Sequence, residues 1–168
     1  MNKIFYILLI LPTIFSCQSE KNVSQYPFFV GDIQFDENVD DKGFKKCNPE
    51  KSFSYQYYSF DGFEYEGEKI EIIRQFEKLN ISSEKNINGY ITIRFLINCE
   101  GKSGMFRVQH MNSSYKEEIL DKKFSENLLN FTKSLKGWKT QEEKKKKVDY
   151  YQYLTFKIKD GKVTEILP

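Results

Sequence analysis

Residues 89–110 read GYITIRFLINCEGKSGMFRVQH, and this stretch decides the fold. Ile91, Ile93, Phe95, Ile97 and Cys99 fall on one side of a two-residue period, while Thr92, Arg94 and Asn98 fall on the other with Tyr90 and Leu96. Strict alternation is the signature of a strand that buries one face. Glu100-Gly101-Lys102 supplies turn chemistry, and Gly104 opens a return strand. On that strand Phe106, Val108 and His110 alternate with Met105, Arg107 and Gln109. The stretch is therefore a β-hairpin with one apolar face. A single hairpin cannot stand alone in water, so its apolar face needs a second layer.

The flanking sequence supplies that layer. Residues 67–80 carry Ile70, Ile72, Ile73, Phe76 and Leu79 at helical spacing, with Asn80 as a stop. Residues 117–136 place Leu120, Phe124, Leu128, Phe131 and Leu135 on one helical face, and Gly137 is a C-terminal stop. Trp138 follows as a plug over that helix end. Residues 139–148, KTQEEKKKKV, read as a charged loop. Two readings of Lys144 to Lys147 stand: contact with anionic lipid headgroups, and a solvated loop, the commoner state of lysines beside glutamates. Tyr150, Leu154, Phe156 and Ile158 begin a second hairpin that Asp160-Gly161 turns and Val163 to Leu167 closes. Thr164 and Ile166 are expected on one face of this last strand, with Val163, Glu165 and Leu167 on the other.

Upstream, residues 28–66 hold eleven aromatic side chains, from Phe28 to Tyr65. Phe53 to Tyr57 alternate with polar residues, which predicts a short strand. The cluster reads either as an aromatic platform for a sugar or peptide, or as packing against the core; the packing reading is favoured.

The N-terminus is an address. Residues 1–17 read MNKIFYILLILPTIFSC. Lys3 precedes an apolar run that Pro12 interrupts and that stops at Phe15, short of the roughly 20 residues a membrane-spanning helix needs. Ile14-Phe15-Ser16-Cys17 resembles a bacterial lipobox, which implies cleavage after residue 16 and acylation of Cys17. Several acyl chains make a stable anchor, where one alone is marginal. Residues 18–27 are polar and read as a tether.

Composition excludes several classes. The chain has 168 residues, 26 Lys+Arg against 24 Asp+Glu, and a net charge of +2, which is too weak a field for a nucleic-acid binder. One histidine and three cysteines rule out most His-based metal sites and most Cys/His zinc modules, and no nucleophile elbow or phosphate loop is present. Asp40-Asp41 reads as part of a polar loop, and Glu117-Glu118 as charge near a helix N-terminus. With Cys17 lipidated, Cys47 and Cys99 are expected to pair in an oxidising compartment; two buried free thiols are the alternative.

The order helix, hairpin, helix, hairpin resembles the TonB C-terminal domain, in the lipoprotein-associated form common in Bacteroidota. Tyr65-Glu66-Gly67 leads into the first helix as in that family, and Gly89 to Asn98 with Gly101 is similar to its signature strand. Leu135 to Thr140 with Trp138, and Tyr153 to Ile158, look like the closing segments; Thr140 stands where the family usually has Pro. The resemblance covers roughly residues 63–168. It implies an α+β two-layer sandwich, two helices packed on a small antiparallel sheet. It also implies recognition through an exposed edge strand, placed here at Val163, Thr164, Glu165, Ile166 and Leu167. With four prolines and a lipobox the chain is not expected to be an energy transducer.

The resulting organisation is a signal peptide (1–16), a lipidated Cys17 with tether (17–27), an aromatic-rich extension packing on the domain (28–62) and a TonB C-terminal-like domain (63–168). The expected function is a non-catalytic envelope lipoprotein that binds or scaffolds a protein partner. It would be held by lipid at the outer membrane, facing the periplasm or the cell surface. The alternative is a small-ligand or glycan binder that uses the Tyr/Phe cluster. No cofactor, metal or nucleic acid is expected.

Overall fold

The computed structural model describes residues 32–49, 64–167 and the backbone of 55–56. The signal segment, Cys17, the tether and most of the aromatic segment lie outside the described residues. The elements run β1 (Tyr55–Gln56), α1 (Glu68–Glu77), β2 (Gly89–Ile97), β3 (Ser103–Asn112), α2 (Lys122–Ser134), β4 (Gln141–Glu143), β5 (Lys146–Val148), β6 (Tyr150–Lys159) and β7 (Lys162–Leu167).

The main sheet has the order β1-β6-β2-β3, with β7 also on β6, and β4-β5 form a separate ribbon. Each neighbouring pair among β3, β2, β6 and β7 is antiparallel. β1 is parallel to β6, pairing Tyr55 with Tyr150. The class is α+β: both helices cover one face of the sheet. Ile91, Ile93, Phe95 and Ile97 of β2 and Leu154, Phe156 and Ile158 of β6 meet Ile72, Phe76, Phe124, Leu128 and Phe131 in one core. Phe76 bridges the helices and the sheet, 5.1 Å from the Phe131 ring and 5.9 Å from that of Phe156. Trp138 closes the end of α2, edge-on to Tyr65 at 4.8 Å and to Phe95 at 5.1 Å. Aromatic pairs at this spacing add to the burial of their area.

Four local expectations change. The loop expected at 139–148 is a hairpin: Glu142 pairs with Lys147 and Glu143 with Lys146 across β4 and β5, so opposite charges stabilise a short ribbon. Helix α2 starts at Lys122 and not at 117, because Asp121 caps it by accepting the Phe124 N–H at 3.2 Å. Glu117 and Glu118 instead extend along β3, where the Glu118 N–H donates to the His110 carbonyl.

The alternation expected along β7 is broken by a bulge opposite Lys157 and Ile158. One extra residue shifts the period, so Val163 and Ile166 both turn to the core while Thr164 and Glu165 face solvent. Finally, the second face of β2 is not polar surface throughout. Residues 32–49 form a strap across it, and Ile33 and Phe44 pack on Leu96, Met105 and Tyr151.

Candidate binding groove

Helix α1 is amphipathic, but it buries only Ile72 and Phe76 fully; Ile70 and Leu79 remain 52% and 53% exposed. After Lys78 the chain turns through Asn80, which holds a left-handed φ of 49°. Asn tolerates that conformation because its short amide can bond locally. The turn sends Ser82 to the outer side of β7, where it bridges Lys162. Ser83 fastens the turn: its N–H donates to the Gly161 carbonyl at 2.8 Å, and its hydroxyl donates to Asp121 at 2.7 Å. The Ser83 hydroxyl, the Phe124 N–H and the Lys85 ammonium together hold the Asp121 carboxyl below its usual range. Gly161 is required here, since its φ is +73° and a Cβ would come within 2.5 Å of the Lys85 carbonyl.

Between α1 and β7 this leaves a groove of about 430 Å³. Ile73, Phe76, Ile81, Val163 and Ile166 give it apolar walls, and Glu77, Lys162 and Glu165 stand among its polar residues. Glu165 is paired with Lys157 at 2.9 Å. Among the described residues, no strand pairs the outer edge of β7 beyond the Ser82–Lys162 bridge. The groove thus combines an apolar slot with unpaired backbone groups, the two things an extended peptide needs.

Val163 to Leu167, singled out from the sequence, form β7 itself, and four of the five line the groove. The opposite wall was not foreseen. Its signal lay in Asn80 and Ile81: a left-handed stop followed by an apolar residue, at the end of a helix whose apolar positions were wider than its buried ones.

Cys47 and Cys99 lie on the strap and just beyond β2. Their sulfurs are at bonding distance and their Cα atoms 5.9 Å apart, within the range a disulfide allows. Asp149, which the sequence reading passed over, accepts the N–H groups of Cys47 (2.9 Å), Asn48 (3.1 Å) and Cys99 (3.0 Å). This is a structural clasp remote from the groove. His110, at the far end of β3, accepts the Leu120 N–H at Nδ1, and burial lowers its pKa. Cys17 and the aromatic run from Phe53 to Phe63 fall outside the described side chains. No helix among the described residues is long and apolar enough to cross a membrane. No family of known proteins, no curated protein and no solved structure matches this chain.

Proposed function

We propose that the chain is a non-catalytic envelope lipoprotein whose TonB C-terminal-like domain binds a protein partner by adding a strand to the outer edge of β7. The observation that carries this reading is the groove between α1 and β7. It offers apolar walls on one side of an edge strand and solvent on the other. An incoming extended peptide would bond to the β7 backbone and set alternate side chains against Ile73, Phe76 and Ile81. Thr164 and Glu165, both exposed on the bulged segment, would lie beside it. The resemblance of Ile14 to Cys17 to a lipobox supports an anchor at a membrane of the envelope, where such a partner would be met.

A photo-crosslinking residue placed at Thr164, in cells making the full chain, tests this. One discrete partner adduct is expected from Thr164 and none from Gln109 on β3. Ile73→Glu, which charges the groove at a half-buried position, should abolish the adduct while the thermal unfolding midpoint changes little. Adducts from Gln109 alone would defeat the reading.

A further inference from the structure

We infer that the β4–β5 hairpin is a membrane-contact element whose lysines rest on anionic lipid headgroups, so that the domain stands with its groove turned away from the bilayer. This rests on the lipoprotein reading.

The hairpin is charged in an uneven way. Glu142 and Glu143 are each opposed across the ribbon by Lys147 and Lys146. Lys144 and Lys145 form the tip, with left-handed φ values of 48° and 64°, and all four lysines are exposed. A two-residue turn of this hand favours Asn-Gly, because most side chains resist a positive φ. Here both positions are lysine. Turn propensity does not account for that choice, whereas projecting two charges from the tip does.

Position supplies the second observation. In the strap, the Asp32 carboxylate accepts the Tyr151 hydroxyl at 2.6 Å and lies 3.6 Å from the Lys46 ammonium. Two residues on, the Asn48 side-chain amide donates to the Lys147 carbonyl at 3.2 Å. The strap is clasped there by Cys47, Cys99 and Asp149. Asp32, which follows the tether in sequence, thus belongs to the strap whose Asn48 reaches the base of the lysine hairpin, so an anchor at Cys17 would bring that end to the membrane first. β6 spans ten residues, roughly 33 Å. The hairpin runs directly into its first residues and Asp32 meets Tyr151 there, while β7 and the groove flank Thr155 to Lys159. The lysine hairpin thus stands at one end of the sheet and the groove at the other.

Juxtamembrane lysines gain from the negative potential of anionic lipid, and the gain vanishes beyond a Debye length. The test uses the full chain reconstituted into vesicles of phosphatidylcholine alone or mixed with phosphatidylglycerol, with trypsin cleavage after Lys144 to Lys147 as the readout. Cleavage is expected to slow on anionic vesicles at low salt, and the protection to disappear at high salt. Lys144→Gln/Lys145→Gln should lose most of it, about 25-fold for two lysines. Equal cleavage on both vesicles, or equal protection of the Gln variant, would overturn the inference. Labelling of the chain with a palmitate analogue separates the two readings. Label without protection refutes the hairpin contact alone, whereas protection without label refutes the anchor and leaves the contact standing.

Discussion

Arg107 on β3 and Asp40 in the strap form a bidentate ion pair, 67 residues apart in sequence. Nη1 and Nη2 each reach one carboxylate oxygen at 2.7 Å, and the two side chains are 5% and 1% exposed. Arg107 also donates to the carbonyls of Gln34 and Phe106 at 2.7 Å. The guanidinium fork suits this geometry, and the extra acceptors keep its buried donors bonded. The pair thus pins the middle of the strap to the sheet.

Removing one partner leaves the other buried and uncompensated. Arg107→Met is expected to lower stability by about 3–5 kcal/mol, and Asp40→Leu/Arg107→Met to recover much of that loss. Urea unfolding midpoints of the three proteins measure it. Burial pushes the Asp40 carboxyl up, but Arg107 and the Asp36 N–H outweigh it and hold it below its usual range. Its stabilisation is therefore fully present above the unfolded value of about 3.9 and is lost as pH falls through the lower folded value. An acid titration of Arg107→Met should lack this component.

The clasp at the other end of the strap closes a loop of sequence separation 52. Chain entropy alone assigns such a closure about 4 kcal/mol. Cys47→Ala/Cys99→Ala should show a loss of this order in chemical denaturation, with the sheet's far-UV signal kept. An unchanged midpoint would mean that the Asp149 hydrogen bonds carry the clasp without the bond.

Gly104 sits under Phe44, and a Cβ there would come within 2.4 Å of the ring. Its φ is not positive, so the constraint is steric only. Gly104→Ala should push Phe44 off β3 and expose residues 32–49 to protease, while the core around Phe131 stays folded. Phe44→Ala in the same chain should relieve the clash. If protease sensitivity is the same with and without Phe44→Ala, the contact is not what Gly104 protects.

Burial lowers the His110 pKa, against the opposing pull of the nearby Glu117 carboxylate. The unfolded chain takes up the proton first, at about pH 6.5. Stability should therefore decline as pH drops below that value, until the folded imidazole is protonated as well. His110→Gln should flatten this part of the pH profile in thermal unfolding.

Periodicity made the two long hairpins and both helices legible, because each buries one regular stripe. Phe95, Ile97, Leu128, Phe131, Trp138 and Phe156 were read as core and are at most 5% exposed, while Phe106, read with them, is only half-buried. The strap was not legible. Residues 32–49 have no period, and Asp40 looked like one of two acids in a polar loop. Only the fold brings Arg107 beneath it. The β7 half of the groove was readable as the last strand, but the bulge that turns Val163 and Ile166 together depends on pairing with β6. The α1 wall depends on how far the helix overhangs the sheet. Neither is a local property of the sequence.

The order of strands in the sheet has a consequence for biosynthesis. β6 lies between β2 on one side and β1 and β7 on the other, yet it is the second-last strand made. Until Tyr150 to Lys159 emerge, β2 has an open edge and Ile91, Ile93 and Phe95 lack half their cover. A growing or truncated chain that stops before β6 is thus a sticky hairpin with two loose helices, a species prone to aggregation. Such a chain would need its β2 edge shielded until β6 emerges and fills the centre of the sheet.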